Sequence, residues 1–493
     1  MKRITTWAAV AALLSATAIG CGGGGTGPDG PVAKDPTTGK AVTDSKGNAI
    51  SVGAANKFKT GLEAMAQHDK AGDWNDASCT QTADLFLDAA KEQGGSTFSE
   101  AIYNAGLAYQ RCKKSAEAKE QFKQVLQKDP KFHRARVQIA LYSFVESGEK
   151  NFDSAIAEMR QAAITDAQFK NVEALVNLAM LYMKRGNQTS DSDGANDFQR
   201  AKKYIQSALA VDDAFMPAFN QLALYYLETA KQKAGRDAKR KVATNASKEK
   251  KIDTQALELA ALVCSQAIRK NARYAPIHNT AGMINVELGN LNAAVQSFNT
   301  ARKLDPDFYE AQMNYAAVNL QFRGFQQAEE AYRAAVKLKA NDFDAHLGLA
   351  LALRGQIDDS NFDKMVASAS ASLETAKKIA PERPETYYND AILTQEYKAK
   401  SGGKEAEGAL NAAKSLFGQF VQKAGSSAEF ADAVKRAKER ISEIDQIIEF
   451  NRQTEADRKA AEAEMKTRQA EQEAKGDEGA EGAEGGGGEP PPK

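Results

Sequence analysis

The sequence holds few of the residues that most often carry chemistry or staple small folds. Among 493 residues there are four cysteines, four histidines, two tryptophans and twelve prolines. So little cysteine in so long a chain excludes a disulfide-built scaffold, and with only four scattered histidines it excludes a Cys/His zinc array. Charge of one sign is missing too: 65 Lys+Arg balance 65 Asp+Glu, so no whole-chain field favours a nucleic acid. The mean hydropathy is too low for a polytopic membrane protein. There is no phosphate loop, zinc-binding helix motif, nucleophile elbow or Cys-x-x-Cys pair. No residue is therefore assigned a catalytic, metal or cofactor role, and no small-molecule substrate is expected. What is abundant is Ala, Lys, Gln and Glu, which lose little side-chain freedom in a helix; with so little Pro, the body should be almost entirely α.

Met1-Lys2-Arg3 is a positive start, and Ile4 to Ile19 is an apolar run of about 16 residues, too short for a comfortable span. It ends in Ala18-Ile19-Gly20-Cys21 and four glycines. This resembles the lipobox of bacterial lipoproteins, which implies cleavage after residue 20 and an acyl (palmitate-type) lipid on Cys21. Gly22 is not the Asp associated with inner-membrane retention, so the resemblance implies the outer membrane, with the body in the periplasm. Residues 21–53 are rich in Gly, Asp, Thr, Lys and Pro without apolar period, and read as a flexible tether that cannot bury enough surface to order itself.

The body repeats. Ser99–Phe132 carries Asn104, Ala105, Gly106 and Tyr109, then Ala118, Phe122 and Asp129-Pro130. Ala275–Phe308 carries Ala281, Gly282 and Leu288-Gly289, then Ala294, Phe298, Ala301 and Asp305-Pro306. The spacing predicts two antiparallel helices per 34 residues. Small residues let the helices approach, a Phe fills the gap, and Asp-Pro stops the second helix. This is similar to the tetratricopeptide repeat, with Ile102 and His278 in its Trp slot. Weaker copies follow at His133–Phe169, Val172–Phe215, Met216–Tyr274, Tyr309–Asp342 and Phe343–Arg383. With an atypical first unit and a degenerate last one, residues 54–424 should form about nine hairpins of an all-α superhelical solenoid. Residues 425–475 read as a capping helix that becomes an extended charged one, and 476–493 as a disordered acidic Gly/Pro tail.

The resemblance also suggests a binding wall. In tetratricopeptide proteins the second, fifth, ninth, twelfth and thirteenth positions of each first helix line a concave groove. Here Tyr103, Leu107, Val137, Leu141, Phe144 and Val145 fall on these positions, followed by Val176, Met180, Met183, Leu224 and Leu227. Met283, Val286, Met313, Leu320, Leu347 and Leu351 continue the series. So apolar and Met-rich a wall suits an adaptable protein partner, unless a tight superhelix buries it. Asn104, Asn177, Asn314 and Asn389 recur at the sixth position, where the family's amide meets a peptide backbone. Arg111, Arg134, Lys184 and Arg354 are too scattered for the family's clamp on peptide C-termini.

Cys79 and Cys112 both fall near the intra-repeat turn, where they form either a disulfide in an oxidising compartment or two separate thiols. Cys264 occupies the slot of Phe122 and Phe298 and reads as core. His278 and His346 occupy equivalent positions two repeats apart, which reads as packing. Lys231 to Lys251 holds nine basic and two acidic residues, either a solvated helix pair or a dock for an acidic partner. Lipobox, Gly-rich tether, repeat array and charged tail together resemble the tetratricopeptide lipoproteins of myxobacterial envelopes, in particular that of the adventurous gliding-motility machinery. The resemblance implies a non-enzymatic scaffold for outer-membrane barrels or periplasmic motility subunits, held to the membrane by its N-terminal lipid. A pilotin-like assembly factor for a secretin or pilus, or an adaptor for a peptidoglycan synthase, are the alternatives.

Overall fold

The structure, a computed structural model, describes residues 31–36, 39–94, 97–164, 171–243, 253–400 and 404–480. Among them are nineteen α-helices and no strand longer than an isolated bridge. The helices pair as antiparallel hairpins: α1 (Val52–Ala71) with α2 (Asp76–Glu92), α3 (Ser99–Arg111) with α4 (Ser115–Lys128), and α5 (His133–Glu146) with α6 (Phe152–Ile164). They continue as α7 (Val172–Arg185) with α8 (Asp197–Val211), α9 (Met216–Ala243) with α10 (Thr254–Lys270), and α11 (Ala275–Glu287) with α12 (Leu291–Leu304). The last three are α13 (Tyr309–Gln321) with α14 (Phe325–Leu338), α15 (Phe343–Arg354) with α16 (Phe362–Ile379), and α17 (Glu385–Glu396) with α18 (Lys404–Ala424), before the 50-residue α19 (Ala431–Ala480). The fold is an all-α tetratricopeptide-repeat solenoid. It divides into two compact units, the first ending at Asp305 and the second beginning at Pro306.

Close approach within a hairpin depends on glycine facing an aromatic ring. A Cβ added to Gly106 would stand 2.6 Å from Cε1 of Phe122, one on Gly282 2.5 Å from Cε1 of Phe298, and one on Gly61 2.8 Å from Cε1 of Phe86. All three rings are fully buried. Phe122 also meets Tyr103 in its own hairpin, centroids 5.4 Å apart, and Tyr142 of the next, 6.4 Å apart. One ring thus joins two successive hairpins.

A second recurring device ties five of the first helices to the turn before them. Arg136 donates to Pro130 O (3.1 Å), His278 to Ala272 O (2.8 Å), Gln312 to Pro306 O (3.0 Å), His346 to Ala340 O (2.9 Å) and Tyr387 to Pro381 O (2.8 Å). Every partner lies six residues upstream. The slot that takes a ring in the repeat pattern is thus used here as a donor site, and this accounts for both His278 and His346. We expect His346→Phe, which keeps a ring but loses the donor, to cost about 1 kcal/mol in urea unfolding. His346→Gln should retain most of that, because Gln312 already makes the bond.

Among the described residues, three that are not glycine hold left-handed backbone at the hairpin turns: Lys113 (φ 60°), Glu149 (φ 59°) and Arg323 (φ 61°). Gly289 fills the matching turn of the sixth hairpin, with φ 77°. A side chain there crowds the next carbonyl. Arg323→Gly should therefore stabilise the second unit by about 0.5 kcal/mol, read from its urea midpoint.

The tether expected through residue 53 is not what residues 31–51 form. Isolated antiparallel bridges join Val32 to Ser51, Lys34 to Ala41 and Thr43 to Ala49 in a small meander, and α1 starts at Val52. Asp44 closes the second turn by accepting from the backbone N–H of Lys46 (2.9 Å) and Asn48 (2.7 Å). Ala33 and Ile50 are buried, and Ile50 packs with Ala54, Ala89 and Phe98. Gln93 fastens the segment from α2, accepting from Ser51 N (2.9 Å) and donating to Ala49 O (2.8 Å). Composition alone conceals this, because the apolar residues are few and each finds its partner in α1–α3. At the other end, α19 runs to Ala480, past the expected start of a disordered tail at 476. Its first half packs through Ala437, Ile444 and Ile448 against Phe417 and Phe420, and from Gln453 to Ala470 nearly every residue is exposed. The signal segment, Cys21 and residues 481–493 lie outside the described residues.

Candidate protein-binding surface

The first helices place the expected wall residues in two ways. Tyr103, Leu107, Val137, Phe144, Val176, Met180, Leu224, Leu227 and Met283 are buried by the chain itself. Leu141, Met183, Val286, Met313, Leu320, Leu347 and Leu351 are half-buried. Only Val145 is well exposed, at 61%. The wall expected to be open is thus largely core in the first unit: Val137, Phe144, Val176 and Met180 join the cluster formed by α5–α8, with Leu141 and Met183 packed on its surface. The cause is tight stacking of successive first helices. The repeat pattern gives the facing of each position but not the distance to the next helix.

Polar side chains stitch those helices together. Gln110 donates to Gln138 Oε1 (3.0 Å) and to the Tyr142 hydroxyl (3.2 Å), linking α3 to α5. Gln221 donates to the Met183 sulfur (3.0 Å), linking α9 to α7, and Thr280 donates to Asn220 Oδ1 (2.7 Å), linking α11 to α9. Glu173 on α7 has Oε2 buried without a hydrogen-bond partner; burial pushes its carboxyl up, against the pull of Arg134. The sixth-position amides turn back on their own helices: Asn104, Asn177 and Asn389 each donate to the carbonyl four residues earlier, at 2.7, 2.8 and 2.8 Å. In that orientation one of the two amide N–H groups is committed to the helix's own carbonyl. In the second unit, Met313, Leu320, Leu347 and Leu351 form a half-buried apolar set on α13 and α15. Arg354 sits beside them, donating to Asn389 Oδ1 (3.2 Å). Burial lowers its pKa, Glu396 opposing and Arg440 assisting.

The polar insert at Asn187–Asp197 is more than a longer turn. Arg200, 1% exposed, donates to Asp191 (2.8 Å), Asp197 (2.7 Å) and the carbonyls of Thr189 (2.7 Å) and Gly194 (3.0 Å). Asp193 is held by Arg160, Tyr204 and Lys203. Its carboxylates are spent on arginines, and no group of three or more His, Cys, Asp or Glu suited to a metal ion occurs among the described residues. The two cysteines left open by the sequence, Cys79 and Cys112, are joined by a disulfide with Cα atoms 6.3 Å apart. It connects the start of α2 to the end of α3. Cys264 is buried and unbridged, its thiol pushed up to about 12 by burial. Of the basic insert, Lys231 pairs with Glu228 (3.4 Å) and Glu287 (3.7 Å), and α9 continues to Ala243; residues 244–252 lie outside the described residues. No described helix is long and apolar enough to cross a membrane.

Comparison with known proteins agrees on the fold. Residues 99–132 and 275–308 match the tetratricopeptide repeat model. No curated protein matches the chain. Among solved structures, a thermophilic tetratricopeptide-repeat protein of Thermus thermophilus is 22% identical, covering 45% of this chain and 99% of its own, with a TM-score of 0.36. Pseudomonas aeruginosa pilF is 16% identical, covering 55% and 99%, with a TM-score of 0.39. A tetratricopeptide-repeat protein of Parabacteroides merdae ATCC 43184 is 15% identical, covering 63% and 98%, with a TM-score of 0.34. Two segments of the chain, residues 99–132 and 275–308, are thus tetratricopeptide repeats, set in an array of helical hairpins.

Proposed function

We propose that the chain is a non-enzymatic scaffold of the bacterial envelope, acylated at Cys21, held at the outer membrane, and part of a gliding-motility complex. The observation that carries the compartment is the Cys79–Cys112 bridge, since disulfides persist in oxidising spaces and are rare in the cytosol. It agrees with the lipobox. The partner surface of the second unit is the half-buried pair Leu347 and Leu351, and that of the first unit, taken by itself, is Leu141 and Met183 rather than Met180 or Met283, which are core. Affinity purification from crosslinked envelopes, followed by mass spectrometry, tests the proposal. Recovery of outer-membrane barrels or periplasmic motility subunits supports it. Recovery of a secretin or a peptidoglycan synthase in their place overturns the motility role. Leu347→Glu with Leu351→Glu, in a protein that still melts cooperatively, should reduce partner recovery. Undiminished recovery there would remove the second unit's face as a binding site, and undiminished recovery in Leu141→Glu that of the first.

A further inference from the structure

The meander changes what an N-terminal lipid would do. Between Cys21 and Pro31 there are nine residues, 22 to 30, and that length spans at most about 33 Å. The folded segment next in line has its charges sorted. Lys34, Lys40 and Lys46 are exposed on its two turns. Lys46 reaches the turn between α4 and α5, its Nζ 3.3 Å from Lys128 O and 3.4 Å from Asp129, and Lys128 and Lys131 are exposed there. Of the carboxylates of the same segments, Asp44 and Asp129 are buried and Asp35 is half-buried. Asp44 is buried in its own turn, Asp129 is buried beneath Lys46 and the Lys131 N–H (3.1 Å), and Glu100 accepts from Ser45 N (2.6 Å). Three residues, 41–43, separate the two turns, so the lysine groups lie roughly 10–15 Å apart, close to a Debye length at physiological ionic strength.

We propose that residues 31–36 and 39–51, with the α4–α5 turn, form a docking surface for an anionic lipid bilayer, so that the first hairpins rest on the membrane and do not hang from it. The choice of a bilayer over an acidic protein rests on the anchor reading above: the acylated cysteine brings a headgroup surface within reach of these lysines before any other partner. One lipid attachment and one basic patch are complementary signals, each lysine near an anionic surface strengthening the partition about fivefold. The other basic stretch, Lys231–Lys251, lies far along the chain, so what the meander lysines add is measured by substituting them alone.

The test uses the mature full chain with Cys21→Ser, which carries no lipid. It is sedimented with vesicles of phosphatidylcholine alone and of phosphatidylcholine with phosphatidylglycerol. We expect binding to the anionic vesicles only, released by high salt. Lys34→Gln, Lys40→Gln, Lys128→Gln and Lys131→Gln together should weaken it at least a hundredfold; Lys46 is kept because it covers Asp129. Lys459→Gln with Lys466→Gln, on the exposed part of α19, should change nothing. Equal partition to both vesicle types, no binding to either, or full binding by the fourfold variant with its melting temperature unchanged would each overturn the proposal. Acylation is read separately, from the mass of the N-terminal peptide of the native protein. Its absence would overturn the anchor while leaving the vesicle result standing.

Discussion

Asp197→Ala should cost about 3–5 kcal/mol and open the fourth hairpin before the rest of the first unit. The carboxylate is wholly buried and accepts four hydrogen bonds: from Nε and Nη2 of Arg185 (2.8 Å each), Nη1 of Arg200 (2.7 Å) and the backbone N–H of Asn187 (2.7 Å). Removing it leaves the Arg200 guanidinium buried with Asp191 as its remaining carboxylate. The loss is therefore a buried cation left with half its charge compensation, together with the two-pronged pair to Arg185, rather than one salt bridge. Hydrogen exchange of residues 185–208 should report the opening, and urea unfolding its magnitude. Asp197→Leu combined with Arg200→Leu should cost less than Asp197→Ala alone, because a buried pair removed together leaves no orphan charge. A double variant as damaged as the single one would show that the insert is held by packing and not by charge.

The same network sets an acid limit. Burial pushes the carboxyls of Asp193 and Asp197 up, but hydrogen bonds overcome it: from Tyr204, Lys203 and Arg160 for Asp193, and from Arg185, Asn187 and Arg200 for Asp197. Asp193 ends at about 2. Both folded values lie below the unfolded carboxylate value of about 3.9. Their contribution is therefore complete above about pH 4–5 and is lost as the pH falls through the folded values. On acidification from pH 5 to pH 2, exchange protection in α7 and α8 should fall before that in α11 and α12, where no such buried carboxylate cluster occurs among the described residues.

How much of this was legible in the sequence differs by feature. The hairpins are set by residues that act at fixed spacing within one unit, such as Gly106 with Phe122 and Asp129 before Pro130, and these could be read in advance. Features that depend on contacts between distant segments could not. The meander needs Gln93 and Phe98 to hold it, and neither is near it in the chain. For the wall residues the repeat pattern gives a position in the helix but not a depth, and Met180 and Met283 are buried. The insert at Asn187–Asp197 reads as polar and therefore as loop; only the arrival of Arg160, Arg185 and Arg200 from three different helices turns its acids into a fixed structure. The donor slot filled by Arg136, His278, Gln312, His346 and Tyr387 had a signal, since all five are long or ring-bearing donors. The family pattern there asks for a ring and hides the hydrogen bond.

Phe298→Ala should cost about 3–5 kcal/mol, the largest single packing loss in the sixth hairpin, since the ring is fully buried and its removal leaves a cavity between α11 and α12. Gly282→Ala should cost about 1–3 kcal/mol for the opposite reason. Its new methyl would stand 2.5 Å from Cε1 and 2.6 Å from Cδ1 of Phe298, so the ring must move in a site with no spare room. Together the two substitutions should cost less than their sum by at least about 1 kcal/mol, because the methyl then projects into the space the ring has vacated. Urea unfolding of the four chains of this cycle measures the coupling directly. If the costs simply add, Gly282 does not owe its place to the ring opposite, and the same account of Gly106 with Phe122 and Gly61 with Phe86 fails with it. If they couple as expected, the small-residue positions of the repeat are a consequence of one geometric demand: a second-helix aromatic needs a first-helix backbone without a side chain directly beneath it.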